Sequence, residues 1–196
     1  MLENIEICSW NFNFSKGQIF SLSKELEKLP SLEEAHREEL IDRIMFSKDN
    51  FFLKMLLSPS LDGRKQPFRD LRFQEMLTNY ERSAAIGDTI GIFPRFFGSL
   101  SFKKNNEWLW NGLIMEYLEG WRTLDKKDPE DIKLAEEAAD QMAKLRIYNR
   151  DFHQKNIMTD GNGAWKVVDL EDMLFDVENP EEARRKMMEK FLTLEI

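Results

Sequence analysis

Asp151 is followed five residues later by Asn156, within Arg150-Asp151-Phe152-His153-Gln154-Lys155-Asn156, and thirteen residues after that by Asp169. Asp169 closes an apolar run, Val167-Val168. Phosphoryl transfer needs this kind of set: one carboxylate orients a nucleophile, and an oxygen pair holds Mg2+ against ATP phosphates. Mg2+ is a hard cation that takes oxygen ligands, commonly one or two from the protein with phosphates and water as the rest. Asp and Asn are also common loop formers. The residue types therefore gain meaning only from the elements that position them.

Those elements are legible on both sides. Asn156–Asp160 and Ala164–Leu170 flank Gly161-Asn162-Gly163, a hairpin signature. Upstream, Asp128-Pro129-Glu130-Asp131 is a helix start, with an N-cap carboxylate, Pro at N1 and acids in the first turn. Ile132, Ala135, Ala139, Met142 and Ala143 form its buried stripe, and the helix is expected to run to about Ile147. Asn179-Pro180-Glu181-Glu182 opens a final helix.

In the first half, residues 5–14 read as a strand. Ser31-Leu32-Glu33-Glu34 is a capping box, and Leu32, Ala35, Leu40, Ile41 and Ile44 continue it as a helix ending before Ser47. Phe51–Leu57 is a short buried strand with Lys54 in its middle, followed by a loop over Ser58–Pro67. Phe68 to about Ala85 is an amphipathic helix that Gly87 is expected to stop. Phe96–Phe102, a turn at Lys103–Asn106 and Glu107–Leu118 make a hairpin, and Gly120 punctuates its end. A lysine in an apolar strand is costly unless its amine reaches a partner or snorkels at an edge. Leu113–Leu118, taken alone, is an ordinary core strand.

With 196 residues, the chain suffices for one substantial core or two small lobes. Hydrophobic content of 42% and aromatic content of 12% indicate a globular chain, and tryptophans such as Trp108, Trp110 and Trp121 read as core. A net charge of −8 argues against a general nucleic-acid or membrane-surface binder, although a local basic patch remains compatible. The single Cys8 excludes an internal disulfide framework and fits a reducing compartment. His36, His153 and Cys8 have no zinc-ligand spacing. No apolar run reaches the roughly 20 residues of a membrane span, and the first residues lack a secretory signal. The expected location is the cytoplasm or the nucleus.

Taken together, Phe51 to Phe175 resembles the protein-kinase-like superfamily, especially its compact aminoglycoside- and choline-type phosphotransferases and small atypical kinases. The anchor is Asp151-Phe152-His153-Gln154-Lys155-Asn156. The resemblance implies that Asp151 orients the substrate hydroxyl or accepts its proton, that Asn156 and Asp169 hold Mg2+, and that His153 braces the loop. It makes Lys54 the lysine that contacts the ATP phosphates. Glu75, 21 residues on, is its carboxylate partner, with Glu81 as competitor. Leu113–Gly120 becomes the hinge, where Met115 lines the rear of an adenine pocket and the backbone of Glu116 and Leu118 meets the adenine edge.

Three features depart from that family. Asn149 stands where a His is familiar, Leu170-Glu171 follows Asp169 in place of Phe-Gly, and no glycine-rich loop precedes Lys54. Only 27 residues follow Asp169, which leaves no room for an activation segment and later substrate-binding helices. Asp172 is a further acid within reach of a metal.

The expected fold class is α+β, a compact two-lobed kinase-like fold with a truncated helical C-terminal lobe. Residues 1–118 form an N-terminal lobe with sheet, helix and hinge, and residues 119–196 a short helical C-terminal lobe. The expected function is ATP- and Mg2+-dependent phosphoryl transfer to a hydroxyl of a small molecule or specialised protein partner. The alternative is a pseudokinase-type scaffold without phosphoryl transfer. A protein partner that completes the short C-terminal lobe fits either reading.

Overall fold

Phe51, Leu53 and Met55 alternate along one strand with Phe52, Lys54 and Leu56, so a sheet through this segment buries two different faces. In the computed structural model, which describes residues 5–9, 15, 18, 22, 24, 26–28, 43–48, 51–57, 71–104 and 107–194, it does. The chain divides into two units, Met1–Glu81 with Arg95–Tyr117, and Arg82–Pro94 with Leu118–Ile196.

The first unit holds β1 (Ile5–Ser9), β2 (Arg43–Lys48), β3 (Phe51–Leu57), the first part of α1 (Leu71–Ile90), β4 (Phe96–Lys104) and β5 (Glu107–Glu116). The strands form one antiparallel sheet in the order β1-β4-β5-β3-β2. One face carries Phe51, Leu53, Met55, Leu100, Phe102, Trp110 and Ile114, packed with Leu22 and Leu26 from a helical segment and edged by Ile5 and Ile7. Lys54 pairs across to Leu113, and Leu113 to Ser99, so these three share the opposite face. Phe96 belongs to that face through its pairing with Met115, and its ring lies 5.8 Å from that of Tyr80. This contact seats the Phe73, Met76, Tyr80 stripe of α1 over the Lys54 side of the sheet.

Gly112 marks the tightest point of the other face. A Cβ there would come 2.4 Å from Met55 Sδ and 3.2 Å from Leu100 Cγ. Met55 and Leu100 are both fully buried, so admitting a methyl group requires both to shift within the core. Gly112→Ala is expected to destabilise this unit by about 1–3 kcal/mol through overpacking. A urea midpoint lowered at unchanged slope is the measurement that checks it.

The second unit contains β6 (Arg122–Thr123), α2 (Pro129–Lys144), β7 (Tyr148–Asn149), a 3-10 turn at Gln154–Asn156, β8 (Ile157–Thr159), β9 (Trp165–Val167), β10 (Met173–Leu174) and α3 (Pro180–Thr193). The sheets are β6-β8-β9 and β10-β7. Asp128 caps α2 by accepting the Glu130 N–H, and Asn179 caps α3 by accepting the Glu182 N–H. Ala135, Ala138, Ala139 and Met142 of α2 are buried, as are Met187 and Phe191 of α3, and the Phe191 ring lies 6.4 Å from that of Phe152. Small alanines on α2 let a neighbouring element approach closely, while the large rings fill the space beside the loop that carries Asp151. No described helix is long and apolar enough to cross a membrane.

Several boundaries differ from the sequence reading. Arg43–Lys48 is a strand, not the end of a helix: its backbone pairs with β3 from Arg43↔Leu56 to Lys48↔Phe51, and pairing overrides a helical spacing that Ile44 happened to extend. The rest of that expected helix, with His36, lies outside the described residues, as do residues 10–14, the Ser58–Pro67 loop, Phe68–Asp70 and the side chain of Trp108. Helix α1 runs through Gly87 and ends at Gly91, which has φ 74 and donates to the Gly87 carbonyl. Gly91 is the position that needs a left-handed backbone. Helix α2 stops at Lys144, earlier than Ile147, because Arg146 turns left-handed (φ 59) and closes a Schellman motif. The Arg146 N–H donates to Ala143 and the Ile147 N–H to Met142.

Candidate functional site

The loop bearing Asp151 is held from both ends. β7 pairs with β10 at Asn149↔Met173 before it, and the 3-10 turn leads into β8 after it. Asn149 is fully buried, and its Oδ1 accepts the Asp151 N–H at 2.8 Å. Arg150 is tied outward: its N–H donates to the Asp172 carbonyl and its guanidinium meets the Asp172 carboxylate at 3.1 Å. Lys190 of α3 donates to the Arg150 carbonyl. Asp172 is thus engaged by Arg150 in an exposed ion pair.

Asn156 is buried, and its amide orientation is set by its neighbours. Nδ2 donates to the Asp151 carbonyl at 3.0 Å and to Asp151 Oδ2 at 2.9 Å. The amide oxygen therefore faces away from Asp151. The β8–β9 hairpin then brings in the third residue. Asp160 Oδ1 accepts the N–H groups of Asn162 and Ala164, which hold that carboxyl below its usual range, and Gly161 and Gly163 take positive φ in the turn. The resulting register pairs Ile157 with Val167 and leads the Val168 N–H to the Asn156 carbonyl at 2.8 Å. Asp169 follows directly, in a left-handed conformation with φ 57. Such a φ is uncommon outside glycine, and Asp is among the residues that tolerate it. Asp151, Asn156 and Asp169 are thereby gathered at one end of one hairpin.

The remaining site residues of the sequence reading lie in the first unit, except Leu118. Lys54 is 3% exposed, buried on the α1-covered face of the sheet. Glu75 is on the exposed side of α1. Glu81 is partly buried, and desolvation raises its carboxyl above the usual range. Met115 is buried on β5. Glu116 is anchored to Arg95 twice, donating its N–H to the Arg95 carbonyl at 2.8 Å and accepting the Arg95 N–H on Oε2 at 3.0 Å. The boundary between the two units falls between Tyr117 and Leu118.

Asp131 is a residue that sequence reasoning placed only as a first-turn acid. Its side chain is 2% exposed and accepts both Arg122 guanidinium nitrogens, at 2.5 and 2.9 Å, with the Asp125 N–H at 2.7 Å. Arg122 sits on β6, whose partner β8 leaves the 3-10 turn, so this pair fixes the β6–α2 connection beside the Asp151 loop. The Arg122 hydrogen bond outweighs desolvation and holds the Asp131 carboxyl below its ordinary range. A depressed folded pKa gives stability that is present above the unfolded value and lost as pH falls through the folded one. Asp131→Ala is therefore expected to cost about 1–3 kcal/mol near neutral pH. The difference from the unmodified protein should shrink on acidification, as read by thermal melts across the acid range.

No family model and no curated protein matches the chain. Solved structures do. A crystal structure of monomeric WbdD aligns at 17% identity and TM-score 0.51, covering 80% of this chain and 38% of that one. A second WbdD crystal structure aligns at 16% identity and TM-score 0.50, covering 72% and 32%. WbdD is a bifunctional kinase–methyltransferase. At this identity the likeness is one of fold: the chain has an α+β, kinase-like fold and spans less than two fifths of the WbdD chains it matches.

Proposed function

We propose that this chain is an ATP- and Mg2+-dependent phosphotransferase acting on a hydroxyl of a small molecule or a specialised protein partner, nearest in kind to the aminoglycoside- and choline-type enzymes. The observation that carries the reading is the Asn156 amide. Its nitrogen is spent on Asp151, so its oxygen is turned elsewhere and would serve a cation, and the backbone of Val168, the residue before Asp169, is bonded to the Asn156 carbonyl. An amide oxygen and a carboxylate are the donor types that Mg2+ prefers. Bound there, the ion would neutralise charge on the β and γ phosphates. Asp151 orients the acceptor hydroxyl and takes its proton. Lys54 would meet the α and β phosphates; Glu75, on the exposed side of α1, would become its carboxylate partner only on rotation of that helix, with Glu81 as the competing one. Met115 would back the adenine, and the backbone of Glu116 and Leu118 would meet its edge.

One observation favours the scaffold alternative. Gly17 is the only glycine before Lys54, so the sequence supplies no glycine-rich phosphate lid upstream of that lysine. Thermal melting with and without ATP and Mg2+ separates the two readings. Ligand at 100-fold its Kd adds about 2.7 kcal/mol, which is a rise of roughly 5–10 °C for a chain of this size. A rise that needs both ATP and Mg2+ supports the phosphotransferase. No rise at millimolar ATP leaves the scaffold, with a protein partner as its ligand.

A further inference from the structure

His153 lies two residues past Asp151, with its side chain 12% exposed and two ring nitrogens in different contacts. Nδ1 accepts the Lys155 N–H at 3.2 Å and caps the 3-10 turn. A ring nitrogen that accepts carries no proton, so the neutral ring bears its hydrogen on Nε2. Nε2 lies 3.4 Å from Asp151 Oδ2. That same oxygen accepts Asn156 Nδ2 at 2.9 Å. Asn156 therefore hydrogen-bonds Oδ2 and the His153 ring edge stands at ion-pair distance from the same oxygen, while among the described residues none reaches Oδ1.

We infer that His153 is a positioning residue for Asp151: the Asn156 amide binds Oδ2, the Nε2 edge of His153 stands 3.4 Å from the same oxygen and keeps it from turning, and Oδ1 is the atom that meets the acceptor hydroxyl. The inference rests on the proposed phosphotransferase role of Asp151. In that reaction the bond from the acceptor oxygen to the γ-phosphorus forms as the bond to the β,γ-bridging oxygen breaks. The electron pair leaves with ADP, and the hydroxyl proton passes to Oδ1. A carboxylate free to rotate would present either oxygen, or neither, along the line of attack, and misplacement by about 1 Å can cost on the order of 100-fold in rate. A ring that merely braced the turn would need Nδ1 alone, so the two nitrogens have separable duties.

Two substitutions separate them. Asn at 153 ends near the place of Nδ1 and keeps the cap on the Lys155 N–H, but has no donor that reaches Asp151. Gln extends to the place of Nε2, keeps the donor and gives up the cap. With ATP and Mg2+ supplied and water as the acceptor, ADP release by His153→Asn is expected to fall about 10–100-fold in kcat at unchanged KM for ATP. His153→Gln should stay within about threefold of the parent. A parent-like kcat in His153→Asn, or a His153→Gln variant as impaired as His153→Asn, overturns the inference. If the parent releases no ADP with water or any screened hydroxyl acceptor and ATP with Mg2+ does not raise its melting temperature, the phosphotransferase reading has failed, and the clamp is decided in the resting protein. Imidazole 15N shifts must then show a protonated Nε2 and a bare Nδ1. Crystal structures must show the Asp151 carboxylate turned in His153→Asn and unmoved in His153→Gln. A protonated Nδ1, or an unmoved carboxylate in His153→Asn, refutes the clamp whatever the activity.

Discussion

Asp151→Asn is expected to leave ATP affinity within about twofold while lowering phosphoryl transfer by about 10²–10⁴-fold, the usual scale of general-base help. The fold should tolerate the change. The Asn149 Oδ1 bond goes to the backbone N–H of residue 151, and the Asn156 Nδ2 bond to its carbonyl, so neither depends on the side chain. Asn can also present its amide oxygen where Oδ2 now accepts Asn156 Nδ2 and faces His153. The amide nitrogen then occupies the position of Oδ1 and cannot take a proton. The loss belongs to kcat because the interaction matters as the nucleophile attacks. An acceptor is needed, so hydroxyl compounds and candidate protein partners are first screened by ADP release. A mutant that turns over the acceptor at the parent rate removes Asp151 from the chemistry.

Asp169→Asn is expected to weaken Mg2+-dependent ATP binding by at least about tenfold, roughly 1.4 kcal/mol. The substitution is chosen for the backbone. Asp169 sits at φ 57, and Asn adopts that conformation readily, so what is lost is the anionic oxygen. Asp169→Ala would confound the loss of a ligand with strain at a positive φ. Titration calorimetry with ATP at fixed Mg2+ reads the affinity, and a thermal melt checks that the fold survives. A folded Asp169→Asn protein with parent affinity takes Asp169 out of the metal site.

Much of this molecule is written locally. The caps at Asp128 and Asn179 are self-contained, since a side-chain oxygen two or three residues from an orphan N–H finds it without help from the rest of the chain. The β8–β9 hairpin is likewise set by Asp160 and two glycines, and through it the sequence alone puts Asn156 and Asp169 just beyond the ends of neighbouring strands. Phe51–Leu57 declares its strand by composition. These readings hold because each depends on interactions that close within about a dozen residues.

The tertiary structure decided what depended on distant partners. Arg43–Lys48 became a strand because β3 offered its ladder, and α1 continued past Gly87 to end where Gly91 could turn left-handed. Asp131 reads like any first-turn acid until Arg122, on another element, donates both guanidinium nitrogens to it. The face on which Lys54 lies emerged only from the register of β3 against β5 and the Tyr80–Phe96 contact. Which Asp151 oxygen is hydrogen-bonded emerged only from the amide that Asn156 aims at Oδ2. Composition and spacing choose residue types and local turns, whereas amide orientation, tautomer and burial depend on which groups are brought within hydrogen-bonding reach.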